Sequence, residues 1–309
     1  MAMRPFGAAY LLFMIAALAD AQEIRITEFD SSGSMAWSNS FWNTTCCVER
    51  ANTLVPSDST SWTNVTTLYA TSAVSRATFP APSLSQSFYR VTYASTALSG
   101  LVGYWPLDGD ANDRSVNLNN GVINGTTFTT NRLGSTDSAC FFNGSGAYVG
   151  VPDSSTLDVT NMTLAFWFRL DSSTTARELV NKMGAEGTQS LSFGSEYSGG
   201  NGRIYFRICT GGSLGTLTDL PSATVIALGI WYHFVGTYDG AEMNIYINGV
   251  HENSTPKTGA IFYSAEEVKI GRYGYYSGWV FHGAIDNVAI WNRALSSNEV
   301  SEVYSAGTF

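Results

Sequence analysis

From residue 23 almost to the C-terminus, the chain is a succession of short runs of β-branched and aromatic residues, each closed by a cluster of Gly, Asn, Asp, Ser or Pro. Val, Ile, Thr, Tyr, Phe and Trp suit a pleated, half-buried surface, whereas Gly, Asn and Asp supply the backbone angles of tight turns. Runs of this length and spacing predict an antiparallel all-β protein of the sandwich or jelly-roll kind. The sharpest local signal is a hairpin. Trp231-Tyr-His-Phe-Val-Gly-Thr-Tyr-Asp-Gly240 leads into Asn244-Ile-Tyr-Ile-Asn-Gly-Val250, where Asn248-Gly249 suits the positive φ that a type I′ turn needs at both central residues. Thr163-Leu-Ala-Phe-Trp-Phe-Arg-Leu170 is apolar on both faces, as a central strand should be. Only the last segment departs from the pattern. Ser296-Ser-Asn-Glu-Val-Ser-Glu-Val-Tyr304 opens on a Ser296/Glu299 capping box and carries Val300, Val303 and Tyr304 at helical spacing, which predicts one short terminal helix.

Composition narrows the functional classes. Of 309 residues, 13% are aromatic and only 13% charged, so the chain has enough apolar material to fold and is not an acidic disordered tail. The net charge of -9 opposes binding to phosphate backbones or anionic lipid, and nucleic acid is excluded as a partner. Met1 to Arg4 is a short basic start, Phe6 to Leu18 is apolar, and Ala19-Asp20-Ala21 is a small-residue cleavage sequence. This layout predicts a secretory signal peptide over 1–21. The apolar run is shorter than the roughly 20 residues that cross a bilayer, and no later segment resembles a span. The mature protein is therefore expected in an oxidising compartment, periplasmic or extracellular.

The polar stretch from Ala94 to Gly100 divides the remainder into a small β-sandwich over 22–97 and a larger domain over 98–309. In the smaller block, Trp37, Val48-Glu49 and Phe88-Tyr-Arg-Val91 resemble a fibronectin type III-like accessory module, which implies a spacer or interaction role. Cys46, Cys47, Cys140 and Cys209 allow three pairings, and spacing does not choose among them. A Cys140–Cys209 bond is the expected one, since both lie in the larger domain. Without Cys-x-x-Cys or clustered His, zinc and thiol redox chemistry have no support. Six Asn-x-Ser/Thr sequons, beginning at Asn43, matter only in a host that glycosylates them.

In the larger domain five motifs occur in one order. They are Gly103-Tyr-Trp-Pro-Leu-Asp108 with the Asp/Asn-rich loop after it, Phe142-Asn-Gly-Ser-Gly-Ala-Tyr148, Trp231-Tyr-His233 with Gly236-Thr-Tyr-Asp-Gly240, Ile245-Tyr-Ile-Asn-Gly249, and Gly283-Ala-Ile-Asp-Asn-Val288 with Trp291-Asn-Arg-Ala-Leu-Ser296. Together they resemble the LamG-like jelly-roll family of the concanavalin A-like lectin/glucanase superfamily, over about two thirds of the chain. The resemblance implies two antiparallel sheets packed as a jelly roll, a structural calcium, and a carbohydrate- or protein-binding role in secreted proteins. For calcium it implies Asp113, loop carbonyls near Asn120, and Asp286, which would clamp the domain's first and last strands. Calcium takes several oxygen ligands from closely spaced loops, and Asp108, Asp110, Asp113, Asn119 and Asn120 offer them. The same residues also suit turns closed by their own side chains. The family's usual Ser-Gly-Asn-Gly reads Ser115-Val-Asn-Leu here, and the residue after Asp286 is Asn287.

The superfamily includes glucanases, whose paired carboxylates lie on one strand as Glu-x-Asp-x-x-Glu. This sequence has no such run, and Glu186, Glu242, Glu252 and the adjacent Glu266-Glu267 read as solvated loop carboxylates. His233, His251 and His282 have no Gly-x-Ser-x-Gly partner. The expectation is a protein that is not an enzyme, a divergent glycoside hydrolase being the rival. A binding site needs aromatic faces for sugar C–H surfaces, with polar groups beside them. Arg272-Tyr-Gly-Tyr-Tyr-Ser-Gly-Trp279 is the richest such loop, which makes Tyr273, Tyr275, Tyr276 and Trp279 the candidate ligand contacts. Packing over a sheet edge is their competing role. Glu196-Tyr-Ser-Gly-Gly-Asn-Gly202 is a second loop that could line the same rim. The expected partner is a polysaccharide or glycoprotein surface, and the alternative is an adhesion or protein-interaction module without sugar affinity.

Overall fold

The computed structural model describes residues 99–173, 177–185, 189–274 and 278–306, with the backbone of seven strands before them. The chain divides into two compact units, Met1–Thr96 and Ala97–Phe309. In the first, β1 (Tyr10–Phe13), β4 (Thr44–Ala51), β5 (Thr63–Ala70) and β7 (Gln86–Ala94) form one sheet in the order β1-β7-β4-β5. A second sheet holds β2 (Arg25–Phe29), β3 (Ser34–Ser38) and β6 (Val74–Thr78).

The second unit is a sandwich of two antiparallel sheets. One contains β8 (Leu101–Trp105), β10 (Thr127–Thr129), β11 (Ala139–Asn143), β13 (Met162–Leu170), β18 (Trp231–Tyr238), β19 (Glu242–Ile247), β20 (Val250–Pro256) and β22 (His282–Trp291). Its order is β10-β11-β22-β13-β18-β19-β20, with β8 also paired to β22. The other contains β9 (Val122–Asn124), β12 (Tyr148–Val151), β14 (Arg177–Met183), β15 (Leu191–Ser198), β16 (Arg203–Cys209), β17 (Leu217–Pro221) and β21 (Val268–Ile270), ordered β17-β16-β15-β14-β21-β12-β9. The turn at 144–147 carries the chain from β11 in the first sheet to β12 in the second. This crossing is what makes the two sheets one jelly roll rather than a stack of hairpins.

Between the sheets, alternate residues of each strand form one continuous core, including Trp105, Phe142, Phe166, Phe168, Phe193, Phe206 and Phe234. Two glycines make room for it. A Cβ on Gly103 would lie 2.3 Å from the ring of Trp105, and one on Gly236 would lie 2.4 Å from Phe206. The Gly-Tyr-Trp motif is thus a packing device, a glycine two residues before an indole on the same face of the strand. Gly103→Ala should lower stability by about 1–3 kcal/mol through overpacking, measurable as a fall in the urea midpoint. An unchanged midpoint would show that the ring can shift at no cost.

The outer face of the larger sheet is covered by α1 (Ser297–Ala306), which buries Val300 and Val303 against Ala165, Val235, Tyr246, Ala289 and Trp291. Covering on both sides explains why β13 is apolar on both faces from Leu164 to Phe168. The capping box closes as the sequence predicts: Ser296 N–H donates to Glu299 Oε2 at 2.8 Å, and Glu299 N–H donates to Ser296 Oγ at 3.4 Å. Burial would raise the Glu299 carboxyl, but Arg293 and Ser296 hold it down to about 2. At the β19–β20 hairpin, Asn248 and Gly249 have φ of 52° and 76°, as the Asn-Gly pair requires.

The expected Cys140–Cys209 disulfide does not form; both are free, buried thiols. Cys140 lies on β11 in the main core, whereas Cys209 lies on β16 in a separate cluster with Met183, Leu191 and Tyr273. Each acts as a small apolar residue in its own sheet. Burial pushes the Cys140 thiol up to about 11. Among the described residues no helix is long and apolar enough to cross a membrane.

Candidate functional site

The aromatic loop after β21 folds back over the sheet. Tyr273 N–H donates to Trp279 O at 2.9 Å, their rings stand 5.3 Å apart, and Asn181 Nδ2 holds Arg272 O at 2.8 Å. Gly274 passes so close to β14 that a Cβ would collide with Met183 O at 1.8 Å. Tyr273 is 2% exposed and belongs to the cluster around Cys209, so it is a packing residue and not the surface contact expected of it. Trp279 is half-buried at the margin of that cluster. Tyr275 and Tyr276 lie outside the described residues.

Of the expected calcium ligands, Asp113 and Asn120 come together and Asp286 stands apart. Asp113 Oδ1 accepts from the N–H groups of Tyr104 (2.8 Å) and Ser115 (2.7 Å), and Oδ2 accepts from Ser115 Oγ and Asn119 N–H, both at 2.8 Å. Asp113 N–H donates to Asn120 Oδ1 at 3.0 Å. The carboxylate is therefore the organiser of the loop, satisfied by four donors. Because Tyr104 N–H and C=O both face this loop, β22 pairs with the opposite edge of β8. Asp286, on β22, thus lies on the other side of β8 from the Asp113 loop. Asp113 has four donors within its own loop and Asp286 is paired with Arg132, so the two are not arranged as the clamp that the resemblance implies. Among the described residues no group of three or more His, Cys, Asp or Glu is arranged to hold a metal. Burial pushes the Asp286 carboxyl up to about 7, Arg132 pulling the other way and Asp108 adding to the rise.

The outer face of the seven-stranded sheet holds a polar constellation that the sequence did not announce. Arg207 on β16 alternates with Phe206 and Ile208 of the core, so it points away from the core. Its Nη1 bonds Glu178 Oε1 on β14 at 2.7 Å and Glu196 Oε2 on β15 at 2.9 Å, and its Nε bonds Asp219 Oδ1 on β17 at 3.1 Å. Four adjacent strands thus each give one charged residue. Glu196 lies within β15 and not in the loop expected at 196–202. The register continues the face as a row of Lys269, Asn181, Gly194, Arg207 and Asp219. Glu178 is fully buried, and burial raises its carboxyl well above the ordinary range against the pull of Arg207. Glu178 Oε2 and Asn181 Oδ1 are buried acceptors with no hydrogen-bond partner. Tyr205, beside Glu196 in the register, and Trp279 leave parts of their rings exposed.

Two carboxylates on one guanidinium invite comparison with a glycosidase pair, which needs its carboxyl groups free to reach opposite sides of a sugar bond. Here both are engaged by Arg207, and Glu178 has no exposed surface. The arrangement supplies oriented hydrogen-bonding groups beside aromatic faces, which is the chemistry of recognition.

The solved structures this domain resembles include the binding domain of Paraclostridial Mosquitocidal Protein 1, with 19% identity over 69% of this chain and 53% of that one, and a TM-score of 0.56. Domain 4 of AbnA, a GH43 extracellular arabinanase from Geobacillus stearothermophilus solved with arabinotriose, is 19% identical over 66% of this chain and 98% of that one, with a TM-score of 0.54. Trypanosoma rangeli sialidase gives 15% identity over 68% of this chain and 33% of its own, with a TM-score of 0.51. The chain thus spans about half of the first structure and nearly all of the second. No curated protein matches its sequence. Residues 143–301 match the Laminin_G_3 family, and with two antiparallel sheets in jelly-roll order the chain belongs to this family of the concanavalin A-like lectin/glucanases superfamily.

Proposed function

We propose that the protein is a secreted, non-enzymatic binding protein whose jelly roll recognises a glycan. The observation that carries this reading is the outer face of the seven-stranded sheet. There Glu196, Arg207 and Asp219 are fixed across neighbouring strands, with the partly exposed Tyr205 beside Glu196 in the register and the partly exposed Trp279 at the margin of the Cys209 cluster. Hydroxyl-rich ligands need such fixed donors and acceptors, and sugar C–H faces stack on rings. Two of the similar structures support the reading by what they are: one is a toxin's binding domain, and another was solved with arabinotriose. The basic start, apolar run and Ala19-Asp20-Ala21 of the sequence support secretion.

The test is retention of the full chain on insoluble polysaccharides and on a glycan array. Retention is expected, with Trp279→Ala and Tyr205→Ala each weakening it ~10-fold or more, equivalent to about 1.4 kcal/mol. No retention on any glycan, or equal retention by both variants, would overturn the reading. Release of reducing ends that stops in Glu196→Gln would instead make the protein an enzyme. A protein-interaction role is the second reading, favoured by Val116, Leu118, Val122 and Ile123, four exposed apolar residues on one short stretch. Leu118 is held there at φ 54°, a conformation that costs a branched side chain energy. Capture of a protein ligand that is lost in Val116→Asp, with the array blank, would favour it.

A further inference from the structure

Asp286 is fully buried on the outer face of the eight-stranded sheet, opposite Trp167 of β13. A carboxylate there needs a counter-charge. Arg132 supplies one: its Nη1 lies 3.0 Å from Asp286 Oδ2, its side chain is 9% exposed, and its guanidinium sits 4.2 Å above the Trp167 ring. The arginine is placed there by a built turn. In the loop between β10 and β11, Asn131 Oδ1 accepts from Leu133 N–H at 2.9 Å and Ser135 N–H at 3.0 Å, and Asn131 N–H donates to Ser135 O at 3.0 Å. Carboxylate, guanidinium and indole form one stack, in which the cation is neutralised on one side and covered by a π face on the other.

We propose that Arg132 takes the place of the divalent cation that the fold family implies here, so that the tie to the last strand is a protein side chain and the domain does not need calcium. A divalent ion approaching Asp286 would meet a fixed positive charge already bonded to one of its oxygens. The link from the first strand to the last is made separately: Tyr104 Oη–H donates to Asn287 Oδ1 at 2.6 Å, and Asn287 N–H to Pro106 O at 3.3 Å. Asp113 is left to shape its own loop. This inference is independent of the glycan reading, since it concerns the opposite face of the sandwich.

Thermal melts of the full chain in calcium and in EDTA test it, with calorimetric calcium titration of the unmodified protein alongside. Equal melting temperatures and no heat of binding at Asp286 are expected. Arg132→Met, which keeps an apolar stem over Trp167, should lower Tm by about 6 °C or more. Adding Asp286→Asn to it should recover most of that loss, because the uncompensated charge is gone. An EDTA-induced fall in Tm, or a calcium-binding heat, that vanishes in Asp286→Asn would overturn the proposal. So would strictly additive losses in the Arg132→Met and Asp286→Asn cycle. If Arg132→Met does not fold, the titration of the unmodified protein against Asp286→Asn still decides.

Discussion

Arg207→Met is expected to lower unfolding free energy by about 3–5 kcal/mol above pH 8, where Glu178 is ionised, the range for removing one partner of a buried ion pair. Arg207 and Glu178 are buried together, so the variant leaves a carboxyl without its cation where water cannot replace it. Glu196 loses the same partner and is partly exposed, so it can recover some hydration. Asp219, with 46% of its side chain exposed, contributes little, because solvent screens it. The loss has a distinctive pH dependence. Burial holds the Glu178 carboxyl at about 8 with Arg207 beside it and higher without it, so the gap between variant and parent should widen as pH rises through about 8 and be smallest below it. The double variant Arg207→Met/Glu178→Gln should likewise recover much of the stability in that alkaline range. Urea titrations across pH would read both effects. A loss below about 1 kcal/mol, the size of an exposed pair, would mean that the face is more hydrated than its burial indicates.

That cluster also shows where sequence reasoning stops. The Asn248-Gly249 turn, the Ser296/Glu299 capping box, the two-faced strand at Met162–Leu170 and the terminal helix were legible because each depends on residues a few positions apart. The Arg207 cluster depends on register. Residues 178, 196, 207 and 219 meet only after β14 to β17 are aligned, and a one-residue slip in any strand would send its side chain to the core. Glu196 was misread as part of a loop because the Gly-Gly-Asn-Gly that follows it is a turn signal, whereas the strand runs on to Ser198. Asp286 was legible as a strand aspartate of the Gly283–Val288 motif and, by resemblance, as a calcium ligand. Its partner, 154 positions away, lies in a turn with no local signal. The aromatic loop at 272–279 was found from composition, but composition cannot tell a ring that faces solvent from one that fills a gap. Tyr273 fills the space between Met183, Leu191 and Cys209.

His233 is expected to give the protein an acid-labile limb. It lies on the outer face of the eight-stranded sheet between two rings, 4.9 Å from Trp167 and 5.7 Å from Tyr304 of α1. Burial pushes its imidazole down to about 3, with the Arg132 charge adding to the effect. In the unfolded chain a histidine titrates near 6.5. Between these values the unfolded chain binds a proton that the folded one refuses, so stability is whole above about pH 6.5 and falls as pH drops. The slope is about 1.4 kcal/mol per pH unit for the one proton, and over the full interval the loss approaches about 4 kcal/mol. The raised carboxyls of Asp286 and Glu178 contribute slopes of the opposite sign from pH 6.5 to 5, so the histidine is read as a difference between the parent and a variant that lacks it. His233→Phe keeps a ring against Trp167 and Tyr304 and removes the titration. It should change the slope by one proton, so that the two proteins diverge by about 2 kcal/mol over that interval. Equal slopes in the two proteins would mean that the imidazole is already hydrated when α1 is docked. A slope changed by one proton would identify the seat of α1 as the part of the domain that acid releases first, because a charged imidazole cannot remain between Arg132 and the helix without water.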